Sequence, residues 1–285
     1  MNIFGLAEAG YYCSSFSSAG GDAEGSINDF QRNYLHSGTI IAEGTQVFQQ
    51  YRDCSLRDIE RSLFFAASHY RRSLDLMTLS ASPWAHVTLY YGSWYASHAL
   101  MGMFGCTIFG NKKLIIDVNR GTPGTQELRV RRIGTSIGQE YCNLKGSHRI
   151  FWGLFYVFAQ QLRPYLSARF AAALSPITGN SLWQIDTRNN VNYDSFIGIN
   201  LAEDFGRTFS KNGFPGCLPG VLNTQFKILE TILELIYSYA KQFNLRTDSL
   251  DLIGGPAGLD RKVRQLIYND KPPGLVLKTT KFFTT

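Results

Sequence analysis

No two of the five cysteines (Cys13, Cys54, Cys106, Cys142 and Cys217) form a C-x-x-C pair, and their odd number leaves one over in any disulfide scheme within one chain. That scatter argues against a disulfide framework or a structural zinc site, and it fits a reducing cytoplasm. The opening "MNIFGLAEAGYYCSS" has neither a basic start nor a continuous apolar run, so no signal peptide is expected. The most apolar run, "IFWGLFYVFA" at 150–159, is too short to cross a bilayer, and no membrane partner is expected. The chain also lacks H-E-x-x-H, G-x-S-x-G and any carboxylate–His metal pair. The glycines of "IGGPAG" at 253–258 follow no strand, which excludes a phosphate-cradling loop of the strand–loop–helix kind. Neither a metal nor a cofactor is expected.

What is present is apolar and aromatic. Of 285 residues, 44% are hydrophobic and 18% charged, with 20 Phe and 15 Tyr, a composition that folds and buries a core. A net charge of +6 and a pI near 9.0 favour an anionic partner such as nucleic acid or an acidic protein.

The pattern along the chain predicts a mainly α fold, a helical bundle with a small inserted β-hairpin. Residues 1–54 read as an irregular N-terminal extension, with a Ser/Gly/Ala-rich lead-in at 10–26. Ser55 with Asp58 reads as a helix start, after which Leu56, Ile59, Leu63, Tyr70, Leu74 and Met77 mark one buried stripe to about Leu79. Ser82-Pro83 opens the next helix, which should end near Gly105 and pack antiparallel to the first. β-branched residues and the "GTPG" loop place the hairpin near 106–134. Helices resume at Ser147 with a segment apolar almost all round, as a central helix would be. "INLAEDFGRTFS" suggests another short helix, and Phe226, Leu229, Ile232, Ile236, Tyr239 and Phe243 stripe a long one. The helical domain thus spans 55–245 and a tail follows at 246–285.

"DTRNNVNYDSF" at 186–196 stands apart, since Asn competes for backbone hydrogen bonds and suits turns. Arg188, Asn189, Asn192 and Tyr193 would together offer a charge for a phosphate, amide hydrogen bonds and a stacking ring. A turn or helix cap with Arg188 paired to Asp186 or Asp194 explains the same residues. His148 would serve as a general base if the bundle brings it beside Arg188, or it is an ordinary first-turn residue. His69 and His98 read as core imidazoles, and Tyr90, Tyr91, Trp94, Tyr95 and Phe104 as core aromatics. Arg129, Arg131 and Arg132, with Lys112 and Lys113 across the hairpin, form either a basic ribbon for RNA or a solvated hairpin.

Three segments in this order resemble the HEPN-like helical family: "LYYGSWYASHALMGMFG" at 89–105, "GSHRIFWGLF" at 146–155 and "RNNVNYDSF" at 188–196. The resemblance covers about 55–245 and leaves out the first 50 residues and the β insertion. It implies a helical domain acting on RNA or nucleotides in a bacterial toxin–antitoxin or antiviral-defence setting. It further implies a homodimer or a complex with a partner protein. Active members of that family pair an Arg with a His four to six residues downstream and cleave RNA without metal. No His follows His148 here. If the chain cuts RNA, Arg188 would hold the phosphate, His148 would be the imidazole nearby, and Tyr193 or Asn192 would position substrate. The alternative is a silent interaction or sensing subunit.

Overall fold

A computed structural model describes residues 27, 30, 36–78, 82–109, 112–120, 124–134, 146–193 and 220–242. They form a mainly α fold with a small antiparallel sheet. Segments 10–26, 199–210 and 246–285, and the side chains of Tyr239 and Phe243, lie outside the described residues.

Helix α1 (Gln46–Thr78) buries the expected stripe from Leu56 to Met77. It begins at Gln46 rather than at Ser55, because Phe48, Tyr51 and Cys54 carry the apolar stripe back one further stretch. Thr45 is its cap, with Oγ1 accepting the Phe48 N–H at 3.2 Å, while Ser55 is buried inside the helix.

Helix α2 (Ser82–Met103) ends as expected at Gly105. Gly105 has φ 70°, its N–H reaches the Gly102 carbonyl at 2.9 Å, and the Cys106 N–H reaches that of Met101 at 2.9 Å. That pair of bonds is a Schellman ending, which needs the left-handed conformation glycine adopts freely.

The sheet has the order β1-β4-β3-β2, all antiparallel, with β1 (Ile40–Ala42), β2 (Thr107–Phe109), β3 (Leu114–Arg120) and β4 (Glu127–Arg132). The hairpin of 106–134 is therefore completed by a strand from the N-terminal region, so residues 1–54 are not wholly irregular. Ile116, Val118, Leu128, Val130 and Ile41 share one buried face.

The remaining elements are α3 (Ser147–Leu162), a 3-10 turn (Arg163–Tyr165), α4 (Ala168–Ala173), α5 (Ser175–Gly179), α6 (Trp183–Tyr193) and α7 (Gly220–Gln242). The hub is α2 and not α3: α1, α3, α6, α7 and β2 all pack on it. Small residues explain this. A Cβ on Gly92 would lie 2.8 Å from Leu229 Cδ2 of α7, and one on Gly102 would lie 2.8 Å from Ile59 Cγ1 of α1. α2 is buried all round except for one stripe bearing Tyr91, Trp94, Tyr95 and His98. Among the described residues no helix is long and apolar enough to cross a membrane.

Candidate functional site

The segment "DTRNNVNY" is helical, not a turn. Ile185 and Val191 are buried, and Arg188 lies three residues from each, so the inner face of α6 carries the guanidinium toward α2 and α3. The asparagines are tolerated because they fall on the other faces, where Asn190 and Asn192 are exposed. Asn189 is half-buried and clamps its neighbour, its Oδ1 accepting from Arg188 Nε at 3.3 Å and Nη2 at 2.7 Å. Among the described residues no carboxylate pairs with Arg188. Tyr193 closes α6, and its side chain lies outside the described residues.

Arg188 and His148, forty positions apart in sequence, converge on Tyr90 of α2. The Arg188 guanidinium carbon sits 4.8 Å from the centre of the Tyr90 ring, a cation–π contact. The Tyr90 hydroxyl lies 2.6 Å from His148 Nδ1 and accepts the Trp152 indole N–H at 3.1 Å. His148, in the first turn of α3, also stacks on Trp94 at 4.1 Å with an interplanar angle of 23°. Beyond it His98 packs between Trp94 and Phe151, 4.8 and 4.0 Å away.

The protonation states follow from burial. Burial, opposed by the Trp152 hydrogen bond and the Arg188 charge, pushes Tyr90 up to about 12, so it is a phenol. Burial, then the Arg188 charge, lowers His148, and burial lowers His98 to about 3, so both rings are neutral at pH 7. The indole can only donate, which leaves the phenol proton for His148 Nδ1. In that arrangement His148 carries its own proton on Nε2, and the site presents two donors, a guanidinium and an imidazole N–H. Two such donors suit an anionic oxygen.

The basic residues of the sheet form a separate cluster. Register puts Arg129 opposite Asp117 and Arg131 opposite Ile115, on one face as expected. Arg129 Nε and Nη2 reach the two oxygens of the fully buried Asp117 at 3.0 and 3.1 Å, and Arg131 binds the same carboxylate through Nε at 3.1 Å and through Nη2. Much of their charge is therefore directed inward. Arg132, Lys112 and Lys113 are exposed.

Sequence reasoning missed the centre of the site. Tyr90 and Phe104 are core as expected, but Tyr91, Trp94 and Tyr95 are only half-buried. The available signal was their spacing, since 91, 94, 95 and 98 share one helical face. Among the described residues, no group of three or more His, Cys, Asp and Glu is placed to hold a metal ion. No family model and no curated protein matches the sequence, and no solved structure matches the fold.

Proposed function

We propose that this chain is a HEPN-like protein that binds RNA or a nucleotide at the Arg188–His148 pair, in a bacterial toxin or antiviral-defence system. The setting comes from the sequence resemblance alone. The observation that carries the reading is the convergence of Arg188 and His148 on Tyr90. A guanidinium that never loses its charge, beside an imidazole N–H, is an arrangement that grips phosphate.

The same geometry favours the silent variant over the cutting one. His148 Nδ1 is occupied by the Tyr90 hydroxyl and Nε2 bears hydrogen, so this ring can donate to a leaving oxygen but has no free nitrogen to take the 2′-hydroxyl proton. Binding without cleavage, as an interaction or sensing subunit, needs neither nitrogen to act as a base.

The test is expression of the full chain in bacteria, beside Arg188→Ala, Arg188→Lys and His148→Ala, with RNA integrity and RNA affinity measured at equal soluble yield. Arg188→Ala should weaken RNA binding by about tenfold or more, the worth of a charge-assisted contact, and Arg188→Lys should restore only part of it. Intact cellular RNA with binding retained selects the silent subunit. Fragmented RNA that either alanine variant abolishes selects a metal-independent ribonuclease. Undetectable RNA and nucleotide binding by the parent overturns both.

A further inference from the structure

The outer face of α1 carries two large rings in water. Phe64 and Phe65 are 53% and 45% exposed, an unusual placement for adjacent phenylalanines in a helix. They are not isolated. Phe65 meets Tyr95 of α2 at 5.0 Å, Tyr95 stacks on His69 at 5.6 Å with planes 9° apart, and His69 stacks on Tyr91 at 6.0 Å. Tyr91 then meets His148 edge-on at 6.2 Å. A ladder of ring contacts thus runs from the exposed phenylalanines to the imidazole of the candidate site.

The same face of α1 is basic. Arg57, Arg61, Arg71 and Arg72 fall within one sector with Phe64 and Phe65, because spacings of three, four and seven residues share a helical side. Asp75 bridges Arg71 at 3.3 Å and Arg72 at 3.4 Å, and Asp58 feels the charge of Arg61. Four arginines against these two carboxylates leave the face positive. Arginines interleaved with exposed rings suit a strand whose bases are unstacked and whose backbone is anionic.

We propose that this face is a stacking track for single-stranded RNA, with bases on Phe64 and Phe65 and phosphates on the adjoining arginines, leading along the ring ladder to Arg188 and His148. The proposal rests on the RNA-binding reading above and narrows it to a single strand longer than one nucleotide. The inner rings fix the orientation of the outer ones, so little side-chain freedom is lost on binding.

The experiment measures binding of a fluorescent single-stranded RNA of about ten nucleotides, a duplex of the same length and a mononucleotide to the full chain. The same ligands are then measured on Phe64→Ser/Phe65→Ser and on Arg188→Ala. Both phenylalanines are half-exposed, so the double variant should fold, which circular dichroism checks. The track predicts the single strand bound best and weakened about tenfold or more by the double variant, each stacked base being worth that order. Loss in Arg188→Ala with the double variant at parental affinity overturns the track and leaves the phosphate site standing. A parent that binds the mononucleotide as tightly as the strand also overturns the track alone. No binding by the parent overturns both. Photo-crosslinking of a 4-thiouridine strand, mapped by mass spectrometry, should label residues between 57 and 72. Labelling that spares this segment, with a dimer that the double variant dissociates, makes the face a contact between copies and overturns the proposal.

Discussion

At the scale of single side chains Tyr90 is central, because three groups from two other helices, Arg188 of α6 and His148 and Trp152 of α3, depend on it. Tyr90→Phe keeps the ring under Arg188 and removes the hydroxyl, leaving the buried Trp152 N–H without its acceptor and His148 Nδ1 without its donor. A stability loss of about 1–3 kcal/mol is expected from the orphaned indole. Nitrogen chemical shifts of His148 should move from a single Nε2–H form to a mixture of tautomers; an unchanged tautomer would refute the assigned network. His86 tests burial more simply. It is fully buried, neither ring nitrogen has a hydrogen-bond partner among the described residues, and burial lowers it to about 4. The unfolded chain takes up this proton near pH 6.5 and the folded one only near 4. Stability due to the neutral ring is therefore complete above pH 6.5 and is lost as pH falls through that window, by about 3 kcal/mol. His86→Phe should flatten the decline, seen as a smaller difference between urea midpoints at pH 7 and pH 4.5. An equal difference in parent and variant would place the acid sensitivity elsewhere. Arg188 and His148 were visible in the sequence as chemistry-bearing residues, whereas Tyr90 was not, since periodicity reports which face is buried and not whom a hydroxyl will meet.

Helices show a similar division between what local pattern announces and what packing decides. The end of α2 was legible because Gly105 serves a backbone conformation that few other residues tolerate. The start of α1 was not: Gln49, Gln50, Arg52 and Asp53 dilute the stripe of Phe48, Tyr51 and Cys54, and Ser55 mimics a cap from inside the helix. Thr45→Ala should therefore cost about 1 kcal/mol, read as a lowered thermal midpoint, since it removes the acceptor of the Phe48 N–H. No change on that substitution would mean the first turn is held by its neighbours alone. The α6 segment was misread for the opposite reason. Its asparagines individually favour a turn, but Ile185, Arg188 and Val191 recur every third residue, and burying that face against α2 and α3 outweighs weak local preferences. One inward arginine of that segment, and not a loop, reaches Tyr90 of α2.

At the scale of the whole molecule, charge among the described residues is sorted between inward and outward use. The sequence shows +6 but not where it points. Arg129 and Arg131 were legible as one face of a strand, yet their partner Asp117 sits on a neighbouring strand, and register alone brings the three together. A buried carboxylate held by two guanidiniums fixes that register, and removing one of them leaves Asp117 with a single counter-charge. Arg131→Ala, at the more buried of the two arginines, should thus destabilise the fold by about 1–3 kcal/mol, the worth of its hydrogen bonds to a carboxylate that Arg129 still holds. If its role is structural, RNA affinity measured on the remaining folded protein keeps the parental dependence on salt. A phosphate contact would instead lower the slope of log affinity against log salt by about one for each arginine removed. Arg61→Ala is the control with the opposite expectation, a shallower slope at unchanged stability, because its side chain stands beside Phe64 and Phe65 on the open face of α1. Should Arg131→Ala flatten the salt dependence and leave stability intact, the sheet and not α1 carries the nucleic-acid surface.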